Sequence, residues 1–541
     1  MHESDLKFFT EISEENLITF RQRPRVRVKM VEQQEYLEFE TDGRFVLTDE
    51  QEQVLNDDFE TDGVWRARVD AFTPPTYRYL LFVIEEFHIE KAKEINADLR
   101  RRGFQSWYKA FGYRIQIGRE TELIEVLRYR VFVGPMQDKL KARNIQSQLL
   151  GVFHTQIIKI PYRHTRGILE TIDTKNTVMH KGTGFLRLAP KSSSGRITVY
   201  NLRNAGKRMP YTFQYSVEFH VADNGKLFLV GEMDIEEFIT GLMIALYKPE
   251  YPVEFLKAMA IAYRSSVLAN LRMSHINEPF DFRCAEPFFQ FAWQDTVPAD
   301  LKKVLKEMAG KYLLKSDRIC DARHTRICGG HTEHIDIMMN RDTRNSITGR
   351  YDVIDEKSYD FPFNLINETD AEEWIKSHPP TLCNLDDVDL KGDFSKFTDQ
   401  FRWLMEYSRQ DLEEIIRKKT DEDIGTIFDI VPLLRGGSGR LIEVEVLGSH
   451  RNVHLVGDYE IRSCLAGNLL PSSCFVIKST PGVDGTPAQF TFIGAGTGHG
   501  VGLCQAGAVA LALKKMDHIS ILEHYFGKIQ LVSRLSFTKS D

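Results

Sequence analysis

Long apolar runs are missing from this chain of 541 residues. Stretches such as 238–247 are short and broken, well below the roughly 18 residues that a membrane span needs. No transmembrane segment is therefore expected. A basic excess is missing too. Lys and Arg number 70 against 77 Asp and Glu, a formal charge of −7. That balance lacks the basic footprint of a nucleic-acid surface. Cysteines are few and odd in number, seven in all, which excludes a disulfide scaffold and leaves the redox compartment open. The opening MHESDLKFFTEISEENLITF has no basic region followed by an apolar core, so no secretory leader is read. Either the protein stays inside the cell or its leader lies outside this sequence.

What is present is globular: 42% hydrophobic and 27% charged residues, in a chain long enough for two to four domains. Residues 24–55 alternate polar and apolar, with a turn signal at Asp42-Gly43, and read as short strands. TPPT at 73–76 marks a boundary. From Tyr77 the text reads as a strand (YRYLLFVIEEF), then a helix with Ile89, Ala92, Ile95 and Leu99 at helical spacing and Gly103 as its stop. FQSWYKAFGYRIQI reads as a strand pair, RYRVFVGPM as another strand, DKLKARNIQSQLL as a helix and HTQIIKI as a last strand. The order is βαββαβ, a ferredoxin-like pattern. Residues 166–232 return to strands with turn signals SSSG and ADNG; helices dominate 234–271. The polar stretch near 356–395 carries no long apolar stripe and reads as surface or irregular.

One stretch stands apart: GAGTGHGVGLCQAGA, 494–508, with a single histidine among six glycines. QFTFIGA before it reads as a strand and GLCQAGAVALALKKM after it as a helix. A strand, Gly-rich loop and helix suggest a nucleotide site, but His499 stands where the last glycine of GxGxxG would fall, and the Gly-Lys-Ser/Thr ending of a P-loop is missing. A tight turn around a hydrogen-bonded histidine is one reading. A loop whose amides, His499 and Gln505 face a ligand is the other.

Gly494, Gly496, Gly498, His499, Gly500, Val501, Gly502, Gln505, Gly507 and Ala508 match the glycine-rich signature of the stage II sporulation protein D and amidase-enhancer (LytB-type) family. PSSCF at 471–475 and the run from LLRGGSGR to Arg462 resemble other segments of that family. So does 233–271, where Glu237, Gly241, Pro252, Glu254, Leu256, Lys257, Ala258, Ala260, Ala262 and Arg264 fall in register. The βαββαβ insert resembles a SPOR domain, which binds glycan strands of peptidoglycan stripped of stem peptides; RYRVFVGPM carries that weaker likeness. The resemblance implies an α+β, multi-domain fold: a strand-rich body with a central helical pair and the insert. Its segments are 1–75, 76–165 (SPOR-like), 166–310 (central helices) and 311–541 (Gly-rich motif).

The resemblance also implies chemistry. Active members cleave denuded glycan strands with one glutamic acid, which protonates the leaving oxygen and then takes the proton of the sugar's own C6 hydroxyl. Ordinary glycosidases use two carboxylates. Here the position of that acid is Leu246. Ile235, Phe238, Ile239, Leu242, Met243 and Leu246 form one apolar stripe through it. Glu250, in the following loop YKPEYP, is the candidate stand-in. Glu237, Glu254, Arg264, His499, Gly500 and Gln505 are the expected glycan contacts. Some relatives carry a zinc-type cluster with adjacent His and Cys; Phe288-Phe289 stands at that pair, and phenylalanine cannot bind zinc, although Cys284 matches one ligand. CDARHTRICGGHTEH, 320–334, offers Cys320, His324, Cys328, His331 and His334. Three readings stand for it: ordinary loop residues, a disulfide or thiol pair, or a zinc site. Trp107 and Tyr108 offer either sugar stacking or core packing. The expected partners are peptidoglycan glycan strands and a cell-wall amidase, in the cell envelope. The expected function is a glycan-binding relative of lytic transglycosylases in cell-wall remodelling, sporulation or amidase enhancement. The alternative is an active transglycosylase with a displaced acid.

Overall fold

The computed structural model describes Thr19–Phe20 and residues 24–533, apart from 118–121, 150, 205–206, 274, 276–277, 286–289, 295, 340–346, 363, 387, 389, 391–393, 399 and 484. Alternation of apolar and polar residues builds two facing sheets in the first half. Six strands run in the order Val178–Thr183, Arg166–Ile172, Trp65–Thr73, Tyr36–Asp42, Arg196–Asn204 and Lys207–Phe213. Seven run Phe282–Arg283, Arg25–Gln34, Leu227–Asp234, Val217–Val221, Phe185–Pro190, Phe45–Asp49 and Val54–Phe59. Phe39 of the first meets Phe219 of the second, ring centres 5.1 Å apart. The Asp42-Gly43 turn joins no hairpin. Its flanking strands belong to different sheets, so it carries the chain across the core.

The 76–163 unit leaves from the end of one such strand. Thr73 pairs with Arg166, so the two strands around TPPT and its return are neighbours. Between them stand Thr76–Glu86, helix Ile89–Arg101, Ser106–Ile117, Glu122–Met136, helix Lys139–Leu149 and Gln156–Arg163. Across these four strands the order is fourth, first, third, second, all antiparallel, the ferredoxin-like arrangement expected of βαββαβ, and Thr19–Phe20 adds a fifth, parallel strand at the edge beside Ser106–Ile117. The stretch read as a strand pair is one strand, Ser106–Ile117, whose partner is the next segment. Trp107 and Tyr108 point to opposite faces, as successive strand residues must. Trp107 stacks on Phe132 at 4.6 Å, and Tyr108 packs on the helix side.

This unit is bolted to the body. Arg128, almost fully buried, bonds Glu85 Oε1 at 3.1 Å and donates to Ala269 O at 2.8 Å. Tyr113 donates to Leu268 O. Arg143 donates to His454 O at 2.7 Å and pairs with Glu422 and Glu460.

Two helices follow the sheets. Ile235–Leu246 is capped by Asp234, which accepts from Glu236 N at 2.8 Å. Val253–Asn270 is buried along nearly its whole circumference, as expected of a helix apolar all round. The helices Ala299–Met308, Gln505–Leu513 and His518–Phe526 pack against it. Among the described residues the C-terminal part adds three three-stranded sheets: Arg318–Ile319 with Tyr312–Lys315 and Gln530–Val532, Ile427–Arg435 with Leu441–Gly448 and Val453–Val456, and Arg402–Ser408 with Pro487–Ala495 and Phe475–Pro481. The 356–395 stretch is not merely irregular: it holds the Glu368–Lys376 helix, with Trp374 and Ile375 buried, and a fully buried Cys383. Among the described residues no helix is long and apolar enough to cross a membrane.

Candidate functional site: a pocket at the Gly-rich loop

The Gly-rich loop lies against 324–333. His324 pairs with Leu503 and Thr325 with Cys504, in parallel. Ile327 bridges Thr497, and Glu333 bridges Val501. Gly496, Gly498, Gly500 and Gly502 all have positive φ, between 71° and 101°, a region L side chains rarely enter. At Gly500 space adds a second constraint: a Cβ would stand 2.3 Å from the Arg440 guanidinium carbon. Arg440, wholly buried, ties its own turn to the 328–331 segment. It donates to His331 O at 3.3 Å, Cys328 O at 2.9 Å and Ser438 Oγ at 3.0 Å. Ser438 in turn donates to Glu333 Oε2 at 2.6 Å.

A pocket of about 270 Å³ opens over this loop. Leu246 and Tyr251 line it from the helical pair, Tyr263 from the central helix, Thr325 and Arg326 from the paired segment, and Arg462, Gly498, His499 and Gln505 from the C-terminal part. Leu246 ends the apolar stripe. The five stripe residues before it are fully buried, whereas Leu246 is half-buried and faces the pocket. Among the described residues the lining contains no carboxylate.

The polar groups there are held as neutral donors and fixed cations. His499 Nδ1 accepts from Val501 N at 2.9 Å, which leaves the ring proton on Nε2. Burial, with Arg323 and His324 close by, holds His499 well below its usual pKa. Burial, helped by Arg323, likewise brings His324 down to about 4. His324 Nδ1 meets Gln505 Nε2 at 3.1 Å, and its ring sits edge-on to Tyr263 at 4.7 Å. Arg462 is braced by Asp458 at 2.9 Å and by Leu470 O at 2.8 Å.

Of the expected glycan contacts, His499 and Gln505 stand in the pocket and Gly500 beside it; Gly500 N donates to Thr325 Oγ1 at 3.2 Å. The other three lie elsewhere. Glu237 accepts from Tyr211 at 2.5 Å, and burial pushes its pKa up. Glu254 accepts from His518 N and meets its Nδ1, tying two helices together. Arg264, wholly buried, forks onto Glu236 at 2.8 and 2.5 Å. Glu250 sits in the turn beside Tyr251 and is not among the lining residues. Phe288-Phe289 lies outside the described residues.

The five candidate zinc ligands of 320–334 do not come together in one group among the described residues. His324 lines the pocket. His331 Nδ1 donates to Thr332 O at 2.6 Å, and its ring meets Tyr351 edge-on at 4.3 Å. Cys320 N donates to Leu313 O at 2.9 Å, and burial pushes its thiol up to about 12. Only Cys328 joins a group of metal-binding side chains, and its companions are Asp352, Cys383 and Cys504. Nothing in the spacing of these four pointed to them, because each comes from a different segment. The pocket's Arg462 carried a signal, as the arginine closing the family-like SGR run. Tyr251, Tyr263 and Arg326 carried none.

A sequence profile described as a domain of unknown function matches 374–502, from the helix before Cys383 to the Gly-rich loop. An uncharacterized protein of Brachyspira hyodysenteriae is 21% identical over 309 residues, covering 57% of this chain and 69% of its own length. The profile of the stage II sporulation protein family matches 223–313, which includes both central helices and the pocket residues Leu246, Tyr251 and Tyr263. That match places residues 223–313 in a stage II sporulation protein domain and supports a cell-wall-related function.

Proposed function

We propose that this chain binds glycan strands of peptidoglycan in the pocket over the Gly-rich loop and does not cut them. The observation that carries this reading is Leu246: the position of the family's acid faces the pocket as a hydrocarbon, and the described lining offers no carboxylate in its place. The remaining groups suit a sugar. Tyr251 and Tyr263 supply aromatic surface, while Gln505, Arg326, Arg462 and a neutral His499 supply hydrogen bonds. A concave, partly apolar site with a few convergent polar groups is the usual form of a small-ligand site. Loss of a general acid typically costs about 10²–10⁴-fold in rate, and more where it is the only one. The insert extends the same reading if its sheet binds strands as SPOR domains do, and a cell-wall amidase is the natural partner of a protein that holds denuded strands.

The test is incubation with amidase-stripped glycan strands, followed by sedimentation and mass spectrometry of the supernatant. Cosedimentation without anhydro-sugar products is expected. Gln505→Ala should weaken binding about 5–10-fold, the worth of one hydrogen bond of about 1–1.5 kcal/mol. Anhydro products from the unaltered protein would replace this reading with a transglycosylase, and their loss in Glu250→Gln would name its acid. Neither binding nor products would overturn the glycan assignment altogether.

A further inference from the structure

Two residues of the paired 324–333 and 497–504 segments, Cys328 and Cys504, belong to a cluster that does not line the pocket and that glycan binding does not use. Cys328, Asp352, Cys383 and Cys504 are all but fully buried, at 1%, 0%, 0% and 0% exposure. Each offers one ligand atom, and the four atoms lie within 4.8 Å of one another. Cys328 Sγ is 3.4 Å from Cys383 Sγ and 3.4 Å from Asp352 Oδ2. Ligands about 2.3 Å from a tetrahedral zinc stand roughly 3.8 Å apart, so one ion reaches all four with small shifts. The geometry points to a structural zinc site formed by these three thiolates and one carboxylate.

The surroundings fit a metal better than three idle thiols. Tyr525 Oη donates to Asp352 Oδ1 at 2.9 Å, which leaves Oδ2 for the ion and fixes the carboxylate as outer-shell partners do. Cys504 Sγ accepts from Cys328 N at 3.3 Å, a bond that a thiolate takes better than a thiol. Zinc with three thiolates and a carboxylate carries a net negative charge, and positive groups border it. Arg440 donates to Cys328 O at 2.9 Å and Arg402 to Gly329 O at 3.1 Å. Gly507 leaves the room: a Cβ there would stand 2.5 Å from Asp352 Oδ2. The charged neighbour of Asp352 is His524, whose Nε2 lies 3.8 Å from Oδ1; a buried carboxylate is costly without a close partner of opposite charge, and the ion would supply one on the Oδ2 side. Binding is a ligand exchange: the three thiols release their protons to solvent and the carboxylate gives a lone pair, with no change of oxidation state.

The site has a consequence for the pocket. Its ligands come from the turn after Ile327, the segment at 351–353, the loop before Asn384 and the residue preceding Gln505. One ion therefore ties the Gly-rich loop to three otherwise separate stretches, and Gln505 is the next residue after a ligand. Four closed protein ligands make the site structural rather than catalytic.

The test uses the whole chain, purified under reducing conditions without chelator. Elemental analysis should find one zinc per chain retained through gel filtration. Exchange for cobalt should give intense visible absorption of a tetrahedral ion and a thiolate charge-transfer band. Cys383→Ser and Asp352→Asn should lower bound metal severalfold, whereas Cys464→Ser, outside the cluster, should keep it. Soluble unaltered protein that holds no zinc and takes up neither zinc nor cobalt would overturn the site without reference to any variant. So would a Cys328–Cys383 disulfide found by peptide mapping of protein isolated without reductant. Because metal content is read without glycan, failure of the glycan reading leaves this result standing, and the reverse holds.

Discussion

The 76–163 unit draws its four long strands and both helices from one unbroken run of sequence, and only the two-residue strand Thr19–Phe20 joins its sheet from outside. The pocket does the opposite and takes its lining from 245–290, 324–326, 397, 462–469 and 497–505. The unit's core closes over short connections, with Leu81, Ala92, Leu99, Val131 and Ala142 in one apolar cluster. The pocket depends on pairings such as Ile327 with Thr497 and Glu333 with Val501. Loop closure over such separations costs entropy before any contact repays it. The body meets that cost with buried polar clamps as well as apolar area: Arg440 tying its own turn to 328–331, and Glu333 accepting from Ser438. A contiguous unit can therefore tolerate losses that an assembled site cannot.

The same contrast explains what could be read beforehand. Helical spacing at Ile89, Ala92, Ile95 and Leu99 reports a local rule, and the helix is there. The stripe ending at Leu246 is equally local and also holds. The strand, loop and helix around 494–508 were legible because glycine density reports positive φ directly. The thiol cluster was not, because no two of its ligands are close in sequence and short-spacing rules see nothing there. The zinc-compatible run at 320–334 misled for the same reason. Cys320, His324, Cys328 and His331 are all buried, but in separate surroundings, and of these only Cys328 joins the thiol cluster. Asp42-Gly43 shows a further limit: a turn signal fixes the bend but not whether its two strands pair.

The sharpest way to break the comparison is Arg440→Ala. It removes a buried cation and leaves the carbonyls of Cys328 and His331 and the hydroxyl of Ser438 short of a donor. About 3–5 kcal/mol of stability should be lost, read by urea unfolding. Hydrogen exchange should speed up at 324–334 and 494–505 while 89–101 keeps its protection. Equal loss of protection in both regions would mean that they are one cooperative unit.

Leu99→Ala asks the reverse question. Leu99 is fully buried in the unit's own core, and truncation of such a leucine costs about 2–5 kcal/mol. Exchange should quicken across 76–163, with the Gly-rich loop unchanged. Spread to the loop would show that the anchors at Arg128 and Tyr113 carry the damage across.

The smallest effect tests the seam between the two regions. His154 of the unit bonds Glu443 of the C-terminal sheet, and that bond raises the His154 pKa. Burial opposes ionisation of Glu443, but the bonds from His154 and His454 prevail and bring it down to about 2. The signs give a window. The carboxylate's contribution is present above its unfolded pKa of about 4.3 and fades as pH falls toward its folded value. The imidazole's contribution is complete below its unfolded pKa of about 6.5 and is lost as pH rises through its raised folded value. The seam should therefore be firmest between about pH 5 and 6.5 and loosen above neutrality. His154 is nearly half exposed, so solvent screening limits the pair to about 0.5 kcal/mol. Thermal unfolding of the unaltered protein and of His154→Gln should converge as pH rises from 6 to 9. A difference between them that persists at pH 9 would assign the contact to packing and not to charge.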